Sequence, residues 1–323
     1  MIDSHEIQRV VAEWVDHELA GEPPGLTALR QRYANHHLKR CLRALELVPN
    51  PVRRGRLLEL GSGLYLMTFL LLRFRNYDLE CVQYWSRPNG EYESVLENRK
   101  TGHQIVFPFQ QFNAEVDVFP YPDSSFDVTV NCDTIEHLLC NPVHMLAEIH
   151  RVLKPGGLML ITTPNVLRLS NVIALLRGQN VYDKYCQVSP YARHPREYTP
   201  DELCRLLQQV GFRVTHLETR DVTEPTNGPR SRALARLFIT ITSLASKACA
   251  RTAGVSGRWR GEQIFLAAES AGTARRTLPD FLFEAPDLAQ PLIDSLCRQR
   301  QSANTFANGL AGPRASDART LAP

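Results

Sequence analysis

The segment Arg56–Leu66, RLLELGSGLYL, is an apolar run that stops at Gly61-Ser62-Gly63, with the carboxylate of Glu59 two residues before the first glycine. A glycine turn between strand and helix lets a ligand lie against bare backbone, and the following helix presents unpaired N–H groups. The third glycine of a dinucleotide fingerprint is missing, since Leu66 stands at its position with Met67 and Thr68 following, and no Gly-Lys-[Ser/Thr] follows. The turn therefore lacks the features for a pyrophosphate or a P-loop triphosphate. It suits a smaller ligand carrying a carboxylate and an ammonium group.

Such a turn works only inside a strand–turn–helix framework, and the chain supplies one. Residues 3–20 and 26–48 have helical spacing, with Ile7, Val10, Val11, Trp14 and Val15 on one face and GEPPG separating the two helices. From Leu57 the pattern alternates: strand RLLELG, helix LYLMTFLLLRF, strand LECVQYW, extended IVFPFQQFNAEV, strand SFDVTVNCD, helix NPVHMLAEIHRVL, strand GLMLITTPN. A helix follows at TPDELCRLLQQVGF, with Thr199 as N-cap, Pro200 in its first position and Gly211 at its end. FRVTHLETRDV and EQIFLAAES add two strands. Alternation of this kind implies a parallel-type sheet covered on both faces.

A chain of 323 residues that is 43% hydrophobic can build one sizeable core with a small accessory unit. The net charge of +3 is too mild for a dedicated nucleic-acid binder, so no nucleic-acid partner is expected. Eight scattered cysteines form no C-x-x-C pair; they read as ordinary thiols in a reducing compartment, with no metal site. The polar N-terminus is not a signal peptide, and no apolar run reaches the roughly 18–20 residues of a membrane span. A cytoplasmic location is expected. The helix at 232–250, apolar with basic flanks, offers peripheral contact with the inner membrane, or packs across the sheet.

Residues 113–165, from NAEVDVFPYPDSSFDVTVNCD through EHL and EIHRVLKPGG to TTPN, together with the ELGSG turn, resemble a class I S-adenosylmethionine-dependent methyltransferase. The likeness runs over about residues 40–220, and the order of the pieces is more specific than any one of them. More narrowly, RHPREYTPDELCRLLQQVGF is similar to bacterial methyltransferases linked to polysaccharide and glycolipid biosynthesis. The resemblance implies a Rossmann-like α/β fold. The expected sheet has seven mostly parallel strands, closed by an antiparallel hairpin of FRVTHLE with QIFLAA and covered by helices on both faces. Residues 1–50 would form a helical cap over the cofactor site, 51–270 the methyltransferase domain with 166–198 as a substrate loop or lid, and 271–323 a disordered tail.

Position by position, the resemblance implies that Gly61, Ser62 and Gly63 pass under the methionine part of S-adenosylmethionine and that Glu59 helps hold its amino group. Glu115 would accept from the adenine amino group and the Val116 N–H would meet the ring. Asn131, Cys132 and Asp133 would run beside the sulfonium. The acidic residue that ends the second strand in the family, and holds the ribose, is absent: LECVQYWS places Tyr84 or Trp85 there, so Tyr84, Gln83 or a later glutamate takes its role.

Methyl transfer from a sulfonium needs an aligned nucleophile, and a hydroxyl acceptor needs a base. His137 and His194 are the candidates, with Glu197 and Tyr198 near them. Tyr182, Tyr185, Tyr191, Arg193 and Arg196 crowd the same connection and suit a small, glycan-type or lipid-linked acceptor. Cys132 and Cys140 read as core thiols. Two other functions are weighed: methylation of tRNA or protein, and a non-catalytic methyltransferase-like scaffold, which the missing ribose carboxylate favours.

Overall fold

The structure is a computed structural model, described here over residues 3–19, 27–84, 87–98, 100–185, 193–222, 260–284, 290–291 and 295. Its elements run α1 (Ser4–Asp16), β1 (His17–Leu19), α2 (Thr27–Leu47), β2 (Gly55–Leu60), α3 (Leu66–Phe74), β3 (Tyr77–Gln83), β4 (Gly90–Asn98), β5 (Gln104–Gln111) and β6 (Phe126–Cys132). A 3-10 turn at Ile135–His137 leads to α4 (Pro142–Val152), β7 (Leu153–Pro164), α5 (Leu169–Leu176), α6 (Pro200–Val210), β8 (Phe212–Arg220) and β9 (Gln263–Ser270). The strands form one mixed sheet in the order β1-β4-β5-β3-β2-β6-β7-β9-β8.

The centre of the sheet, β5-β3-β2-β6-β7, is parallel. β2 is buried on both sides: Leu57 faces the core under α1, α2 and α3, while Leu58 and Leu60 face the core under α4 and α6. β3 and β6 flank β2, so the strand order reverses there, and an open α/β sheet places its ligand beyond the carboxyl ends of strands at such a point.

Among the described residues the sheet has nine strands where seven were expected. The antiparallel β8–β9 hairpin is as read from FRVTHLE and QIFLAA, with β9 also antiparallel to β7. The additions are at the other edge. GEYESVLEN, which was not among the expected strands, is β4, antiparallel to β5 from Gly90↔Gln111 to Glu97↔Gln104. Its glutamates stand on alternate positions facing solvent, which lowers the hydrophobicity of the run while keeping the period of two. The three-residue β1 then caps β4.

α6 forms as its sequence dictates: the Thr199 hydroxyl accepts from Glu202 N, the Glu202 carboxylate accepts from Thr199 N, Pro200 opens the helix, and Gly211 closes it at φ +119°. The expectation of disorder from residue 271 onward does not hold at its start. Leu278 is buried, Phe281 packs on the α4–α6 core, and Arg276 pairs with the buried Glu148 of α4. The 232–250 helix, Trp85 and Tyr191 lie outside the described residues. No helix among the described residues is long and apolar enough to cross a membrane.

Candidate active site

Two cavities open at the carboxyl ends of β2, β3 and β6. The first, of about 290 Å³, is walled by Leu60, Val82, Phe112, Ala114 and Leu138, with Gln83, Tyr84, Asn113, Thr134 and Asp133 as its polar groups. The second, of about 530 Å³, is polar; Tyr33, His36, His37 and Arg40 of α2 face Asp183, His194 and Glu197 of the connection after β7. Gly61, Gly63, Asp133 and His137 line both cavities and form the seam between them.

The glycine turn is held from three sides. The Gly61 and Ser62 N–H groups both donate to Val82 O, at 3.0 and 3.2 Å, so they serve the sheet rather than a ligand. The indole of Trp14 donates to Leu64 O at 2.8 Å, and Tyr65, left-handed at φ 61°, stacks on Phe107 with ring centroids 5.0 Å apart. Gly61 has φ +80°, and a Cβ there would lie 2.3 Å from Thr134 Oγ1. A bare backbone is therefore required where the two cavities meet.

Glu59 and Glu115 are not brought together. Glu59 points to the α3 face, is buried, and accepts from Thr68 Oγ1 at 2.7 Å. Glu115 turns to the other face and accepts the Cys140 and Asn141 N–H groups ahead of α4, at 2.5 and 2.9 Å. Neither lines a cavity. A carboxylate satisfies the unpaired amides at a helix start, and this use claims Glu115. Val116 N donates to Asn113 O in the same turn, so the wall is built by Asn113 and Ala114, two residues earlier than read. Asn131 faces Met145 of α4, its Nδ2 lying 3.4 Å from the sulfur, while Cys132 and Asp133 do line the second cavity.

Burial raises the Glu59 pKa to about 7, with the Thr68 hydrogen bond pulling partly against it. A carboxyl raised in the fold stabilises while neutral: its contribution is complete below about 4.5 and lost as pH rises through about 7. Glu59→Gln keeps the neutral group at every pH. Thermal unfolding from pH 5 to 8 should show the wild type losing stability relative to this variant, by on the order of 1–3 kcal/mol. Parallel pH profiles for the two proteins would contradict a buried, neutral Glu59.

Asp133, at φ +49°, is fixed at the seam. Thr162 Oγ1 donates to its Oδ1 at 2.9 Å, Gln263 Nε2 donates to the same oxygen, and the buried Arg40 pairs with Oδ2. Beside it, the His37 pKa falls to about 3 through burial and the positive Arg40, so this imidazole is neutral. His137 donates from Nδ1 to Arg193 O at 3.0 Å, and its ring meets that of His194 edge to face with centroids 4.8 Å apart. His194 Nδ1 lies 3.2 Å from Glu197 Oε1. Glu197 also pairs with Arg168, and its pKa falls: burial raises it, but His194 and Arg168 together outweigh that.

Of the residues expected to meet an acceptor, none among those described lines the cavity. Tyr182 and Tyr185 are 79% and 92% exposed, Arg193 lies over the Tyr185 ring, and Arg196 pairs with Glu202. Polar residues of α2 stand there instead. Tyr33, His37 and Arg40 fall at i, i+4 and i+7 on one helix face, a pattern that reads equally as a solvated stripe. The Cys132 thiol is pushed up to about 12 by burial and is no nucleophile; Cys140 is exposed rather than in the core.

Fold and cavities together define an open α/β protein with two joined cavities at the carboxyl ends of its central strands. Residues 29–217 match the model of a methyltransferase domain, and the chain belongs to that methyltransferase family. The family's cofactor is S-adenosylmethionine, and the glycine cradle with its apolar wall and polar rim fits such a group. A Mycolicibacterium smegmatis protein named a probable S-adenosylmethionine-dependent methyltransferase is 38% identical over 95 residues, 29% of this chain and 32% of that one. The ubiquinone biosynthesis O-methyltransferase of Dinoroseobacter shibae is 29% identical over 166 residues, 51% of this chain and 62% of that one. The chain thus spans less than two thirds of the length of either relative. A SAM-dependent methyltransferase structure from Archaeoglobus fulgidus aligns over 74% of this chain and 94% of that one, at 16% identity and a TM-score of 0.43.

Proposed function

We propose that this protein transfers a methyl group from S-adenosylmethionine to a hydroxyl oxygen of a small acceptor. The observation that carries the proposal is the seam: the cofactor and acceptor cavities share Gly61, Gly63, Asp133 and His137. When bound, S-adenosylmethionine supplies a methyl group already activated by its sulfonium. The chain's task is then alignment and proton removal.

Phe112 and Ala114 offer an apolar slot for the base, and Asn113 offers an amide to its edge. Gln83 and Tyr84 stand at the end of β3, where a ribose would present its hydroxyls, in place of the missing carboxylate. Asp133, fixed by its pairing with Arg40, would offer a carboxylate oxygen at the seam to the cationic end of the cofactor. On the acceptor side, His194 is oriented by Glu197 and His137 by the Arg193 carbonyl, and an imidazole of this pair would take the hydroxyl proton. The relatives named as ubiquinone biosynthesis O-methyltransferases support a small quinone-type acceptor over a glycan.

His194→Ala should lower turnover by about 10²–10⁴-fold while calorimetry shows unchanged binding of S-adenosylhomocysteine. Substrate is found by mass spectrometry, as hydroxylated metabolites gaining one methyl only where the protein is present. Absence of any heat with millimolar S-adenosylmethionine would refute the enzyme and favour the scaffold.

A further inference from the structure

We propose that Glu136, His137 and His194 hold a divalent metal ion, Zn²⁺ or Co²⁺ by preference, beside the seam, where it binds the oxygen of the acceptor hydroxyl. The ligand atoms of the three residues lie within 4.8 Å of one another. Two imidazole nitrogens and one carboxylate oxygen are a donor set for these ions and leave positions open for a substrate.

Glu136 is the feature that a purely protonic site does not explain. It is fully buried. One of its oxygens accepts from Thr163 Oγ1 at 2.9 Å, but Oε1 is buried with no hydrogen-bond partner among the described residues. An orphaned carboxylate oxygen in the interior is costly, and a cation beside it removes that cost. The imidazoles carry the outer partners that metal-ligating histidines use. His137 Nδ1–H donates to Arg193 O, and His194 Nδ1 faces Glu197 Oε1 at 3.2 Å and Asp183 Oδ2 at 3.7 Å. These contacts fix the orientation of each ring. Tetrahedral coordination needs donors about 3.4 Å apart, so the set closes by roughly an ångström when an ion enters. His194, on the connection ahead of α6, is placed to make that movement.

The chemistry rests on the proposed function for its acceptor. The acceptor oxygen binds the ion, and its proton passes to water or to Asp183. An oxygen lone pair then forms the bond to the methyl carbon as the carbon–sulfur bond breaks, and that electron pair remains on sulfur, which leaves as a neutral thioether. With the ion bound, the imidazoles assist removal of the hydroxyl proton through it, which refines their role in the proposed function.

The test uses the full chain stripped with a chelator and titrated with ZnCl₂ and CoCl₂ without cofactor or acceptor. The expected result is one ion per chain, with cobalt giving the visible absorption of a low-coordinate N₂O site. His194→Ala and Glu136→Gln should each weaken binding at least about tenfold. S-adenosylhomocysteine binding is measured on the same samples and should be unchanged, which reports an intact fold. No uptake of either ion at millimolar concentration, or equal uptake by both variants, overturns the proposal. In that event intact S-adenosylhomocysteine binding leaves the methyltransferase reading standing, whereas its loss in the wild type defeats the reading itself.

Discussion

Gly61→Ala raises the dissociation constant for S-adenosylhomocysteine by more than about tenfold, equivalent to at least about 1.4 kcal/mol. Two effects combine. At φ +80° an L-residue costs about 1–2 kcal/mol in backbone strain. The new Cβ also meets Thr134 Oγ1 at 2.3 Å, so the end of β2 and the start of the 3-10 turn must part, and both cavities have walls there. Gly102→Ala is the control. Its φ is +70° and nothing lies within 4 Å of its Cβ, so it should lose stability from strain alone and bind the ligand normally. Adding Thr134→Ala to Gly61→Ala removes the clash but not the strain and should restore part of the affinity. Affinity within twofold of the wild type for Gly61→Ala alone would mean that the ligand does not lie on this turn.

Arg40→Ala should lower the thermal midpoint by roughly 6–12 °C, because losing one partner of a buried pair costs about 3 kcal/mol or more and each kcal/mol is worth about 2–4 °C in a domain of this size. Arg40 is 4% exposed and is the counter-ion of Asp133, whose other oxygen already takes Thr162 and Gln263. Removing the guanidinium leaves an uncompensated carboxylate at the seam. Arg40→Met with Asp133→Asn removes both charges and should recover most of the midpoint, though not ligand binding, since Asp133 lines both cavities. A midpoint within about 2 °C of the wild type for Arg40→Ala would show that the pair is solvated.

The parts of this protein legible in its sequence are those where local chemistry decides. α6 is announced by Thr199, Pro200, Glu202 and Gly211, each acting on its own neighbours. β2 and β6 are announced by unbroken apolar runs, because a central parallel strand is buried on both faces. The glycine turn is legible for the same reason. What was misread depends on partners distant in the chain. Glu115 carries the acidity expected near an adenine, but which way it turns is decided by the open amides of Cys140 and Asn141, 25 and 26 residues later. The α2 contribution to the acceptor cavity is invisible locally, since Tyr33, His37 and Arg40 become a wall only once β6 and the connection after β7 are in place. β4 was missed because its outward face is nearly all glutamate.

The two ends of that connection are clamped together. Asn165 bridges Tyr198, and the Val166 N–H donates to Tyr198 O at 3.1 Å. Tyr198 is buried, and α6 starts with its own cap one residue later. A change of length between these posts is therefore absorbed without transmitting strain to the strands. On the proposed function, acceptor preference can therefore change within this segment around a retained Arg168, His194 and Glu197, while the cavity on the far side of Gly61 keeps its walls.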